Sequence, residues 1–167
     1  MEPLPIKQGL PPVARSDARL FILGSLPGDA SLAAQAYYAH PRNLFWRLVG
    51  EAVGEDLQSL AYEDRLQRLV ARRIGLWDVV AHASRRGSLD QAIRNPGHNP
   101  LADYFAGFPN LEAVAFNGAA AASAGRKLLR DMERLILIDL PSSSPANMRP
   151  FAEKAEAWGR LAQFCGA

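Results

Sequence analysis

A single cysteine, Cys165, stands near the end of the chain. One thiol closes no disulfide and cannot supply a zinc ribbon or a cysteine-ligated iron–sulfur cluster, so those frameworks are excluded. Long apolar runs are missing too: nothing approaches the ~20 unbroken apolar residues of a membrane span. The segment Met1-Glu2-Pro3-Leu4-Pro5-Ile6-Lys7 has neither the charged start nor the long apolar stretch of a secretory signal. A cytoplasmic location with no membrane partner is therefore expected. Catalytic signatures are also scarce. There is no nucleophile elbow, no phosphate-binding loop with its lysine, no dinucleotide glycine fingerprint and no metal-ligand pair at helical spacing. Neither a cofactor nor a metal site is expected.

What is present describes one domain. The chain has 167 residues, 49% of them apolar and 22% charged, enough to bury roughly two-thirds of the unfolded surface in a single core. Net charge is only +2, but sixteen of the nineteen basic residues are arginine, the side chain better suited to bidentate phosphate contacts and to stacking on bases. That balance permits a nucleic-acid partner without requiring one. The pairs Arg72-Arg73, Arg85-Arg86 and Arg126-Lys127 read first as solvated faces.

Strand and helix patterns alternate along the chain. Residues 19–23 read as a buried strand closed by Gly24 and Pro27, and the Ala-rich stretch 31–38 as a first helix capped by Ser31. Helices follow at 43–53 and 62–72, each with apolar residues recurring on one face. Residues 74–80 form a second strand. The stretch 83–100 is rich in Ser, Gly, Asn and Pro and reads as loop, broken by a short helix at 89–94, with another at 101–107. Strands at 113–116 and 135–138 precede helices at 119–130 and 150–164, the former small-residued and so expected to pack closely on the sheet. Four buried strands alternating with helices predict a three-layer α/β/α sandwich with a mainly parallel four-stranded sheet. Residues 1–17, rich in proline, are expected to form a flexible arm ahead of the single domain at 18–167.

In such a sheet the strand C-termini share one edge, where ligands bind. Gly24-Ser25-Leu26-Pro27-Gly28, Asp78, Asn117 and Ser142-Ser143-Ser144-Pro145 should therefore line one rim. Three serines before a proline, at the opening of a helix, would offer hydroxyls and N–H groups to phosphate, unless they only over-cap the helix. Tyr37 and Tyr38 are adjacent, so on a helix one faces the core and the other, taken as Tyr38, the rim. His40, beside Pro41, reads as a structural hydrogen-bonder, and Trp77 as core. Asn43 precedes an apolar-periodic run and could be only a helix cap.

Taken together, Gly24-Ser25-Leu26-Pro27-Gly28, Tyr37-Tyr38-Ala39-His40-Pro41-Arg42-Asn43-Leu44-Phe45-Trp46, Gly75-Leu76-Trp77-Asp78, Asn117-Gly118 and Pro141-Ser142-Ser143-Ser144-Pro145-Ala146-Asn147 resemble the uracil-DNA glycosylase superfamily. The His-Pro-x-Asn-x-Phe-Trp segment is similar to the mismatch-specific uracil enzymes. The Tyr-Tyr pair and the Pro-Ser-Ser-Ser-Pro-Ala motif look most like the hypoxanthine-DNA glycosylase branch. This resemblance implies a DNA repair enzyme that flips a deaminated base out of double-stranded DNA and hydrolyses its glycosidic bond. Hypoxanthine is the first expected substrate, with uracil or xanthine behind it, and the enzyme is expected to be a monomer.

Two positions depart from the superfamily pattern. Leu26 stands where an acid or amide usually positions water, and Leu140 where a histidine or asparagine usually holds the base carbonyl. The hypoxanthine branch implies a replacement in Asn43, whose amide carbonyl would orient the water. Tyr38 or Phe45 would stack on the base, Asp78, Asn117 or both would read its edge, backbone N–H groups around Ser25 and Ser142 would hold phosphate or a base oxygen, and Leu26 would bind the base from the same turn. Gly28 stands where strict uracil enzymes carry a bulky tyrosine, which leaves room for a larger base. Ser142, Ser143, Ser144 and Pro145 would meet the DNA backbone, with Met148 or Arg149 wedged into the vacated stack. No lysine lies near the motifs in sequence, which implies a monofunctional glycosylase without a lyase step. The rival expectations are a uracil- or mispair-specific glycosylase and a degenerate member that binds nucleic acid or a nucleotide without cleaving.

Overall fold

Alternate residues of the apolar strands serve two different cores, and this two-sidedness sets the architecture. The computed structural model describes residues 3–165. In chain order its elements are β1 (Ile6–Gln8), β2 (Leu20–Gly24), α1 (Asp29–Ala34), α2 (Phe45–Val53), α3 (Tyr62–Ala71), β3 (Ile74–Asp78), β4 (Val80–Ser84), β5 (Arg94–His98), α4 (Leu101–Phe105), β6 (Ala113–Asn117), α5 (Ala119–Leu128), β7 (Ile136–Leu140) and α6 (Phe151–Trp158). Strands β3, β2, β6 and β7 lie in that spatial order and are all parallel. Leu20, Ile22, Ala113 and Ala115 face one core, which α2, α3 and α6 cover through residues such as Leu48, Leu69 and Trp158. Phe21, Leu23, Val114 and Phe116 face the other, covered by α4 and α5. The expected three-layer sandwich is present.

A second sheet was not legible in the sequence. After Asp78 the chain bends out of the parallel sheet, and β4 becomes the centre of a three-stranded antiparallel sheet ordered β1-β4-β5. The stretch expected as one strand over 74–80 is thus two, and the expected loop over 83–100 contains an edge strand. Pro96 and Gly97 are tolerated there because β5 pairs on one side only.

This second sheet also ties down the N-terminal segment, so the expectation of a flexible arm fails for residues 3–17. β1 pairs with β4, the Gly9 N–H donates to the Ala81 carbonyl, and Leu10 is buried. Val13 and Leu76 exchange two backbone hydrogen bonds, at 2.9 and 2.8 Å, which covers the outer edge of β3.

Other boundaries shift for local reasons. α1 stops at Ala34 because Gln35 turns left-handed, at φ +52°, and its N–H closes on the Leu32 carbonyl. Ser31 is inside that helix and accepts the Ala39 N–H instead of capping. α6 begins at Phe151, so the serines of 142–144 lie in a preceding loop and do not open a helix.

Close packing shows at Gly75, which stands opposite Phe21 in the β2–β3 register. A Cβ at Gly75 would lie 2.5 Å from the Phe21 ring, which is wholly buried. Gly75→Ala should therefore destabilise the fold by about 1–3 kcal/mol through overpacking, read as a lower urea midpoint with an unchanged slope.

Candidate active site

The helices that follow β2 and β6 lie on opposite faces of the sheet, so a crevice opens between the C-termini of these two neighbouring strands. A cavity of about 790 Å³ occupies it. Its walls are the turn after β2, Tyr38, His40 and Asn43, Asp78 at the end of β3, residues 88–91 after β4, Asn117 at the end of β6, and the loop 142–147 after β7.

Three polar side chains are locked in series across this wall. The Asn117 Oδ1 accepts the Ser143 N–H at 2.9 Å, so its Nδ2 is the group that donates to Ser143 Oγ, also at 2.9 Å. The Ser143 hydroxyl then donates onward to Asn43 Oδ1 at 2.8 Å. That same Oδ1 accepts the Phe45 N–H at 2.9 Å, as a helix cap does. Backbone donors at both ends settle each amide's orientation. Asn43 is thus a cavity residue that also holds the first helical N–H, from one position before the cap residue Leu44. Its carbonyl oxygen carries two hydrogen bonds, so the group it has left for a ligand is the Nδ2 donor. The expected role of orienting water through the carbonyl does not fit.

Asp78 lies at the cavity's base, 3% exposed, with Oδ2 lacking any hydrogen-bond partner. Burial, and then the nearby Asp90, push its carboxyl up to about 7, against the opposing pull of Arg85. Tyr38 stands beside it with a buried hydroxyl that makes no well-formed hydrogen bond, and burial, then the Asp78 charge, raise that phenol well above its ordinary value against the pull of the nearby Asn117 amide. Gly24 is required between them, because a Cβ there would sit 2.6 Å from Asp78 Oδ1 and 3.1 Å from the Tyr38 hydroxyl. Tyr38 is not helical: it holds φ +55°, a strained backbone for an aromatic residue. That turn lays its ring on Phe45, with centroids 3.8 Å apart and planes within 12°. Phe45 is wholly buried beneath it. Of the two aromatics expected to stack on a ligand, Tyr38 is the accessible platform and Phe45 its support.

The turn after β2 is held from behind by a residue that the sequence disguised. Arg85 read as half of a solvated pair, yet it is wholly buried and donates to the carbonyls of Leu26 and Pro27, whereas Arg86 is exposed. Burial lowers its guanidinium from the ordinary value while Asp29, Asp90 and Asp78 pull it back up. In front, Ser25 Oγ donates to Asp90 Oδ1, and the Asp29 N–H donates to Ser88 Oγ at 2.9 Å. Sequence reasoning missed Arg85, Ser88 and Asp90. Leu26 packs on Val80 and Ala83, and Gly28 faces Ser88 at the rim. Leu140 is buried in the first core.

The serine loop divides. Ser143 is wholly buried in the relay, so it cannot meet DNA. Ser142 and Ser144 are half-buried and accept the N–H groups of Ser144 and Ala146, while Pro145, Met148 and Arg149 are exposed. The expectation that no lysine lies near the motifs is corrected by Lys154. It is buried and donates to the carbonyls of Ser144 and Asn147, so its ammonium braces the loop from outside the cavity wall. Asn117, expected to read a base edge directly, is committed to Ser143 through its oxygen and one amide hydrogen. Among the described residues no group of three or more His, Cys, Asp or Glu is placed to hold a metal ion, and no helix is long and apolar enough to cross a membrane.

Residues 11–162, nearly the whole of this architecture, match the family model described as the uracil DNA glycosylase superfamily. The chain belongs to that superfamily. A protein named hypoxanthine DNA glycosylase from Methanosarcina barkeri (strain Fusaro / DSM 804) is 43% identical over 154 residues, covering 91% of this chain and 95% of its own. Another of that name, from Methanosarcina acetivorans, is 44% identical over 153 residues, covering 92% of this chain and 96% of its own. A solution NMR structure of a candidate uracil DNA glycosylase from Methanosarcina acetivorans superposes with a TM-score of 0.85 at 42% identity, over 95% of this chain and 97% of that one. The crevice of this superfamily member, with the relay of Asn117, Ser143 and Asn43, thus sits in a fold shared end to end with these relatives.

Keeping Asp78 there costs stability. A carboxyl raised by the fold favours the folded state only while protonated, so its contribution falls as pH rises from about 4 through 7. Asp78→Asn should therefore stabilise the protein by about 2–4 kcal/mol at pH 8 and by little at pH 4, measured by urea unfolding at both values.

Proposed function

We propose that this protein is a monofunctional DNA glycosylase that excises deaminated bases, hypoxanthine foremost, from double-stranded DNA. The observation that carries the reading is the presence of one oriented donor, Asn43 Nδ2, and one unpartnered acid, Asp78, among the lining of a single cavity with room for a flipped nucleotide. Deamination turns the amino edge of adenine or cytosine into a lactam, a carbonyl next to a ring N–H. An ionised Asp78 accepts that N–H while Asn43 donates to the carbonyl. An unmodified adenine or cytosine offers a lone pair in place of the N–H and meets the carboxylate unfavourably. The relatives named hypoxanthine DNA glycosylase, at 43% and 44% identity, support the choice of base.

The reaction begins with extrusion of the nucleotide, at a cost of a few kcal/mol that is smaller for a mispaired base. Tyr38 provides the stacking surface. Met148, 91% exposed just beyond the cavity loop, is the side chain to fill the vacated stack, with Arg149 beside it for phosphate. As the glycosidic bond lengthens, the base gains negative charge, and the Asn43 amide stabilises it more in the transition state than in the ground state. Its rigidity comes from the buried serine behind it. A duplex partner, a monomeric state and a cytoplasmic place of work belong to this same proposal.

Duplexes with one deoxyinosine, deoxyuridine or deoxyxanthosine, heated in alkali after incubation, test the reading. Breaks at deoxyinosine are expected. Breaks at uracil alone would overturn the base preference, and breaks with none would overturn the glycosylase. Asn43→Ala should lower the single-turnover rate about 10²–10³-fold with little change in DNA affinity. A near-normal rate would reduce Asn43 to a helix cap.

A further inference from the structure

Hydrolysis requires an acceptor for a proton of the attacking water, and the cavity walls narrow the choice. This inference rests on the glycosylase reading above. Asn43 is excluded because its Oδ1 already takes two hydrogen bonds and an amide is a poor base. His40 accepts the Arg42 N–H at Nδ1, so its lone pair is used and its other ring nitrogen carries hydrogen. Asp29 is paired with Lys7. Asp78 lines the cavity with a buried, unpartnered oxygen, and the reading above commits it to the edge of the base.

Asp90 remains. It comes from the short 3₁₀ turn 90–92 between β4 and β5, lines the cavity on its solvent side, and accepts the Ser25 hydroxyl. Ser25 is itself buried and held by the turn that Arg85 anchors. With Asp29 paired, Asp90 is thus the exposed carboxylate left in the cavity lining and Asp78 the buried one, so with the base on Asp78 the sugar and its water would lie toward Asp90.

We propose that Asp90 receives the proton of the hydrolytic water and that Ser25 positions it to do so. The bond from C1′ to the base nitrogen breaks with its electron pair left on the base. The water oxygen bonds C1′, and one of its protons passes to the Asp90 carboxylate. The base leaves as an anion met by the Asn43 N–H. Solvent then takes the proton from Asp90 and returns one to the base, so the sum is one water consumed per abasic site and free base formed.

The test compares wild type, Asp90→Asn and Ser25→Ala. Single-turnover cleavage of a deoxyinosine duplex is set beside affinity for the same duplex carrying a tetrahydrofuran abasic analogue. Asp90→Asn should slow cleavage about 10²-fold or more, with affinity within about threefold, and Ser25→Ala should give a smaller loss of the same kind. A rate for Asp90→Asn within about threefold of wild type overturns the proposal, as does a rate loss matched by an equal loss of affinity. Should Asp90→Asn fail to fold, judged by circular dichroism, a normal rate in Ser25→Ala overturns it instead. Wild type inactive on all three deaminated bases overturns the glycosylase reading itself, an outcome separate from an active wild type with an indifferent Asp90.

Discussion

A buried hydroxyl that bridges two asparagines is the constraint on which the site depends. Ser143 receives from Asn117, donates to Asn43 and offers its own N–H back to Asn117. These contacts join the end of β6, the loop after β7 and the start of α2, beside the β6–β7 pairing and a bond from the Leu44 N–H to the Ser143 carbonyl. Buried polar groups are tolerated only when satisfied, and a fully satisfied set excludes alternative arrangements. The apolar layers bring the strand ends together. The relay decides which atom of Asn43 the cavity sees.

Around that fixed point the charges are left out of balance. Asp78, Asp90 and Asp29 gather near one buried guanidinium, Arg85, whose hydrogen bonds go to backbone carbonyls and not to any of the acids. Its charge moderates the acids from a distance while its N–H groups shape the turn. A direct ion pair would have neutralised one acid and removed it from the chemistry. The unpartnered atoms at Asp78 and Tyr38 are the local cost of keeping a site ready for a ligand.

The parallel sheet was legible because its strands are short apolar runs flanked by turn residues, too short for helices and alternating with helical patterns. The small residues of α5 also announced their role: a Cβ at Gly125 would run into the Phe116 ring. β4 and β5 were illegible for the opposite reason. Val80–Ser84 and Arg94–His98 show no clean alternation, and their pairing is long-range. Asn43 stood out through resemblance to a family, whereas spacing alone offered a helix cap; it lines the cavity one position before the cap residue, Leu44. Arg85 beside Arg86 gave no hint that one is buried and one exposed. Asp90 looked like any loop acid until the fold brought it to a serine 65 positions away.

The docked N-terminal segment has a consequence for how the chain comes together. Its partners are Leu76 and the strand ending at Ser84, so during synthesis it is made before them and must wait for the intervening chain to emerge. A segment that waits with open strand edges invites wrong partners. Pro3, Pro5, Pro11 and Pro12 lack the N–H that such pairing needs and hold the backbone extended. Composition that reads as looseness therefore works as patience: the arm stays unpaired until the one edge that fits it has formed.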